Sequence, residues 1–159
     1  MSELRIGLGV DAHAFEDGIP LVLGGVVVEH PRGLAGHSDG DVVTHALIDA
    51  LLGAADLGDI GAFFPSDDEQ YRGASSLDLL GKAYREVSDA GWRLVNADCI
   101  LIGEEPRVAQ IRGEMSERLA GALGVGAGQV SVRATTTDGL GFTGRREGLA
   151  AQAVALLSR

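Results

Sequence analysis

Three short stretches of the chain concentrate side chains able to do chemistry: Asp11-Ala12-His13, His37-Ser38-Asp39-Gly40-Asp41 with His45 close behind, and Thr135-Thr136-Thr137-Asp138. One carboxylate and two imidazoles with an open fourth position make a catalytic zinc arrangement. Asp11, His13 and His45 offer that set, and the alternative is three unrelated polar residues at the ends of elements. The ligand types favour zinc, while manganese or another divalent ion is also compatible. An open zinc position invites a substrate oxygen, for which a phosphate is a natural candidate. His37 precedes an expected helix, where a phosphate can also dock. The threonine run has two readings. It is either β propensity alone, or hydroxyls and N–H groups wrapping phosphate oxygens, with Asp138 holding a magnesium-type ion. Phe142 near Arg145 places an aromatic beside a guanidinium, or simply marks a loop with a surface ion pair. Phe63-Phe64-Pro65 reads as loop packing or as a pocket wall.

The elements that must position these residues follow from periodicity. Leu4, Ile6, Leu8 and Val10 alternate with Arg5, Gly7, Gly9 and Asp11, predicting a strand over about 4–12 with Asp11 and His13 on one side. The glycines leave room on that side. Residues 21–28 predict a hairpin about Gly24-Gly25. A polar loop over 29–37 then leads to a helix over about 39–55, where Ser38-x-x-Asp41 has capping-box spacing. Its apolar face is Val43, Leu47, Ala50, Leu51 and Ala54. The opposite stripe of Asp41, His45 and Asp49 is a solvated polar face in the plain reading. In the functional one, carboxylates a turn away on both sides orient the imidazole or hold it protonated. Residues 58–73 read as a long loop, 75–90 as an amphipathic helix, and 92–103 as a central strand. Pro106 is expected to open a helix whose core positions are Val108, Ile111, Met115, Leu119 and Leu123, with Gly124 as its stop. Val130, Val132 and Ala134 mark a strand entering the threonine run, and the tail from Glu147 reads equally as helix or doubly buried strand. The sum is a single domain over 1–159 of the α/β class, an α+β sandwich with one mixed sheet of about four strands and helices on one face.

Composition bounds what the chain does. A net charge of −10 argues against a nucleic-acid footprint. The single cysteine, Cys99, excludes an internal disulfide framework and a cysteine zinc cluster. With no signal-peptide run at Met1-Ser2-Glu3-Leu4-Arg5 and no stretch of bilayer-spanning length, a cytoplasmic protein without membrane association is expected. The 24 glycines gather beside the polar motifs, which suggests tight loops close to a ligand.

Taken together, Asp11-Ala12-His13, His37-Ser38-Asp39-Gly40-Asp41 with His45, Leu57-Gly58-Asp59-Ile60-Gly61, and Ala134-Thr135-Thr136-Thr137 with Gly141-Phe142-Thr143-Gly144-Arg145 resemble the 2-C-methyl-D-erythritol 2,4-cyclodiphosphate synthases. The resemblance runs through essentially the whole chain in register. It implies conversion of 4-diphosphocytidyl-2-C-methyl-D-erythritol 2-phosphate to the cyclic diphosphate with release of CMP, in non-mevalonate isoprenoid biosynthesis. It implies Asp11, His13 and His45 as zinc ligands, and His37 and Thr136 as the residues that stabilise the transition state and position the phosphates. It places His37 and Ser38, Asp59, Ile60 and Gly61, and the loop from Phe64 through Asp68 against the methylerythritol and ribose. Gly103, Pro106, Arg107 and Ala109 fall in the cytosine pocket, and Thr135 to Asp138 near the phosphates, with magnesium or manganese at the diphosphate. Phe142 is carried over as a substrate contact. Arg145 and Glu147 match residues lining a central channel of a homotrimer whose active sites lie between subunits, a channel that can hold isoprenoid diphosphates in relatives. Two departures stand out: Asp138 replaces a common glutamate, and Ser66-Asp67 interrupts a common Phe-Pro-Asp start. Rival readings are a non-catalytic regulator that binds metal or isoprenoid diphosphate, and a metal-dependent phosphohydrolase releasing free phosphate.

Overall fold

Two glycines decide how the first strand meets the first helix. In the computed structural model, which describes residues 2–159, strand β1 (Leu4–Asp17) lies against helix α1 (Val42–Ala54). A Cβ at Gly7 or Gly9 would overlap the carbonyl oxygens of Ala50 and Ala46. The glycine side of β1 therefore faces the helix, and Asp11 and His13 continue that side. Leu4, Ile6, Leu8 and Val10 point the other way and are 56–73% exposed.

The remaining elements are β2 (Leu21–Leu23), β3 (Val26–Val28), β4 (Arg32–Leu34), α2 (Ile60–Phe63), α3 (Ser76–Asp89), β5 (Arg93–Ile102), α4 (Arg112–Leu123), β6 (Val130–Thr135), α5 (Gly141–Gly144) and β7 (Gly148–Ser158). One five-stranded sheet has the order β4-β1-β7-β5-β6, and β2-β3 form a separate hairpin. β1 and β5 both run antiparallel to β7, while β5 and β6 are parallel, so the sheet is mixed. It has five strands rather than about four because β4 adds a short antiparallel edge to β1 within the expected polar loop. β1, β5 and β6 run in one direction, and their C-terminal ends meet at one end of the sheet. Ala12, Ala150, Ile102 and Thr135 form a single row there.

The tail from Gly148 is a strand because hydrogen-bonding partners wait on both flanks, which alanine-rich periodicity cannot reveal. Other boundaries also depart from expectation. α1 begins at Val42 with Asp41 as its N-cap, so Ser38 and Asp39 belong to the preceding loop and form no capping box. Nor is the Asp41, His45 and Asp49 stripe a solvated face: Asp41 is fully buried and His45 only 7% exposed. The hairpin and α3 cover the side of α1 that the sheet leaves free. α4 starts at Arg112 instead of Pro106. Val108 is buried and Ile111 half-buried, but a turn holds them, with Ile111 N–H donating to the Val108 carbonyl at 3.0 Å. Apolar residues three apart suit one turn as well as a helix. The long 58–73 loop contains α2 and a 3₁₀ turn at Glu69–Tyr71, capped by Asp59 and Asp68.

Candidate active site

Asp41 joins the β2–β3 hairpin to the start of α1. Its carboxylate accepts the N–H groups of Gly24 (2.9 Å), Gly25 (2.7 Å) and Thr44 (3.1 Å) and the Thr44 hydroxyl (2.7 Å). One side chain thus caps α1 and closes the β2–β3 turn, where both glycines adopt positive φ. Burial pushes this carboxyl upward, against the opposing pull of its hydrogen bonds.

At the end of β1, Asp11 Oδ2 lies 2.8 Å from His13 Nε2 and 3.1 Å from His45 Nδ1, and the two ring nitrogens are 3.2 Å apart. The sequence-predicted stripe does not orient His45: Asp41 and Asp49 are engaged elsewhere. Instead His45 Nε2 faces the hydroxyls of Ser76 (2.8 Å) and Ser38 (3.0 Å). His13 Nδ1–H donates to the Ala35 carbonyl at 2.6 Å, so its Nε2 presents a lone pair inward. Three electron-rich atoms converging in this way need a cation, or protons, between them. The donor set suits a divalent metal ion, and these three form a metal-competent group among the described residues. Burial pushes the Asp11 carboxyl up, but the hydrogen bonds that His13 and His45 donate in their doubly protonated forms outweigh it and hold it at about 2. The hydrogen bond to Asp11 raises His13 above its ordinary 6.5, against the effect of burial.

Other expected residues are held by contacts of their own. His37 Nε2–H donates to the Asp68 carbonyl at 2.8 Å, joining the His37 loop to the Phe64–Asp68 segment. Phe64 packs edge-on against Tyr71. Asp59 caps α2 through Ala62 N–H, and Asp49, one turn beyond His45, accepts Ile60 N–H at 2.8 Å. That bond sets Asp59, Ile60 and Gly61 beside the end of α1. Phe142 shares a shallow cavity of about 260 Å³ with His13 and Glu147, and Arg145 pairs with Glu147 at 3.2 Å.

A larger cavity of about 540 Å³ opens elsewhere. It is lined by Gly103, Glu104, Pro106, Arg107, Ala109, Thr135 and Thr136, together with Arg112 and Arg146. Its volume suits a nucleotide-sized ligand. The threonine run divides here. Thr135 and Thr136 line the cavity, whereas Thr137 turns its hydroxyl to the Leu140 carbonyl (2.6 Å) and to Thr143 (3.0 Å). Asp138, in a left-handed conformation with its N–H to Thr136 Oγ1, stands outside the Asp11, His13 and His45 group. Within one chain the two regions lie three strands apart along the shared row, roughly 14 Å at about 4.8 Å per strand.

Sequence reasoning missed Ser76, Glu104, Arg112 and Arg146, and it singled out the stretch containing Asp39 without giving Asp39 a role in the site. Ser76 falls within the amphipathic helix expected over 75–90, and nothing in that periodicity points across space to His45. Cys99 offers no nucleophile, since burial pushes its thiol up to about 12.

The chain is similar to known proteins over nearly its whole length. The model of the YgbB family matches residues 4–158. The 2-C-methyl-D-erythritol 2,4-cyclodiphosphate synthase of Moorella thermoacetica is 58% identical over 97% of this chain and 94% of its own length. Among solved structures, the bifunctional IspDF of Campylobacter jejuni superposes with a TM-score of 0.96 at 40% identity, over 99% of this chain; the chain spans 43% of that protein. A CDP-bound 2C-methyl-D-erythritol-2,4-cyclodiphosphate synthase gives a TM-score of 0.87 at 37% identity, covering 96% of this chain and 99% of that one.

Proposed function

Because this chain belongs to the YgbB family, we propose that it catalyses the reaction for which its curated relatives are named. It converts 4-diphosphocytidyl-2-C-methyl-D-erythritol 2-phosphate to 2-C-methyl-D-erythritol 2,4-cyclodiphosphate and releases CMP. The observation that carries this reading is the pairing, at one end of one sheet, of a metal-competent Asp-His-His group with a nucleotide-sized cavity.

The substrate's 2-phosphate attacks its own β-phosphorus in line. A new P–O bond closes the ring as the bond to CMP breaks, and the electron pair leaves on CMP. The nucleophile is already an anion, so catalysis reduces to positioning and charge neutralisation. Zinc held by Asp11, His13 and His45, and magnesium or manganese at the diphosphate near Asp138, would supply that neutralising charge and orient phosphate oxygens. Thr135 and Thr136 present hydroxyls and N–H groups to the phosphates. Thr136 and His37 bear on the transition state. Gly103, Pro106, Arg107 and Ala109 cradle the cytosine, in keeping with the CDP bound by a relative. Ser38, Asp59, Ile60, Gly61, Phe64 and Asp68 enclose the methylerythritol and ribose.

The protein assembles as a homotrimer with its sites between subunits. Two observations support this: among the described residues nothing covers the apolar outer face of β1, and the metal group and nucleotide cavity lie three strands apart within one chain. Arg145 and Glu147 then border the shared axis, and Phe142 is a substrate contact. The charged, non-permeant substrate places the reaction in the cytoplasm, and among the described residues no helix is long and apolar enough to cross a membrane. Incubation with the cytidyl substrate and magnesium, followed by phosphorus NMR, tests the reaction. CMP and cyclic product in equal amounts support it; free phosphate, or no turnover, overturns it.

A further inference from the structure

Behind His45 stand two groups in series that the proposed reaction does not touch. The Ser76 side chain is fully buried, and its hydroxyl forms a short hydrogen bond with Asp39 Oδ1. The same carboxylate accepts Ser76 N–H at 2.9 Å and Asp41 N–H at 3.1 Å. An ionised carboxylate only accepts, so the Ser76 hydroxyl proton points at Asp39. The Ser76 oxygen then turns a lone pair toward His45 Nε2, 2.8 Å away, and can only accept there. A proton on Nε2 leaves Nδ1 bare, and Nδ1 is the atom facing Asp11 and His13 at 3.1 and 3.2 Å.

We propose that Asp39 and Ser76 are positioning residues that fix the Nε2–H tautomer and the ring orientation of His45, so that Nδ1 is presented as a metal ligand before an ion arrives. The assignment rests on reading Asp11, His13 and His45 as the metal site. Ser38, the other hydroxyl on Nε2, lacks an equivalent carboxylate behind it among the described hydrogen bonds and does not dictate the proton's direction. Backbone bonds brace the relay: Asp39 N–H donates to the Ala74 carbonyl at 3.1 Å and Gly73 N–H to the His37 carbonyl at 2.8 Å. Asp39→Asn sets an amide NH₂ among the three donors that now share two oxygens. It can therefore reverse the hydroxyl and move the His45 proton to Nδ1.

The test combines zinc affinity, by competition with a chelator, with the ¹⁵N NMR signature of His45 at alkaline pH. It compares the wild type with Ser76→Ala, Ser76→Thr and Asp39→Asn. The expected result is an Nε2–H tautomer in the metal-free and zinc-loaded wild type. Ser76→Ala and Asp39→Asn should lose 10–100-fold in zinc affinity, about the range for outer-shell partners, and show mixed tautomers, with recovery in Ser76→Thr. If Ser76→Ala does not fold, Asp39→Asn and the wild-type spectrum still decide. An Nδ1–H tautomer in the metal-free wild type, or unchanged affinity and ¹⁵N shifts in the variants, overturns the proposal. A wild type that shows Nε2–H yet binds no zinc overturns the metal reading and leaves the tautomer assignment standing.

Discussion

The three converging ligand atoms carry opposite charge preferences, and this has consequences at the scale of single residues. Removing one through Asp11→Ala or His45→Ala should abolish stoichiometric zinc and lower turnover by about 1,000-fold, a loss of several kcal/mol of charge stabilisation; elemental analysis beside a turnover assay checks both. The pH dependence reverses between the metal-free and loaded protein. In the metal-free form, the raised His13 value means its pairing with Asp11 stabilises the fold below 6.5 and is lost as pH rises through the elevated native value. The depressed Asp11 value adds stability above 3.8, lost as pH falls toward about 2. The contribution of this pair should therefore be greatest between about 4 and 6.5, and the chelated protein should lose it as pH rises through the native His13 value. Zinc instead needs neutral imidazoles, so the melting-temperature gain from added zinc should grow with pH. Melting curves with and without chelator decide this. Thr136→Ala should cut kcat by about 100-fold with the melting temperature unchanged, since among the described residues its exposed hydroxyl bonds only within its own turn.

Asp41 and Gly9 matter at the scale of elements, because each joins two of them. Asp41→Ala would uncap α1 and leave the Gly24 and Gly25 N–H groups without their acceptor, a cost of about 3 kcal/mol by urea unfolding. Gly9→Ala would drive a methyl into the α1 backbone and should cost at least as much, because neither strand nor helix can yield without moving the other. Most elements were legible from the sequence. The hairpin, α3, β5, β6 and the Gly124 cap, which is left-handed, follow from periodicity and local turn chemistry. What was not legible depended on partners distant in sequence. Asp41 rather than Ser38 caps α1 because Asp41 also holds the hairpin, and β7 is a strand because β1 and β5 flank it.

At the scale of the whole molecule, one side of the sheet is covered by helices while the other carries Leu4, Ile6, Leu8 and Val10 uncovered. Placing a charge on that face separates assembly from ligand binding. Leu8→Lys should sediment as a single chain and keep zinc near one per chain, because all three ligands come from one protomer, yet lose synthase turnover. A trimeric, active Leu8→Lys protein would remove this face from the interface. The sequence by itself determined the family and the identity of the clustered side chains, because residue types, spacings and motif order are local properties of the chain. Only the tertiary structure decided that the apolar side of β1 faces outward, that His45 Nε2 meets the Ser76 and Ser38 hydroxyls instead of its helix neighbours, and that the metal group and nucleotide cavity stand apart. Each depends on which surfaces meet when the glycine side of β1 packs on α1, and alternation along a strand says that two faces differ without saying which one is buried.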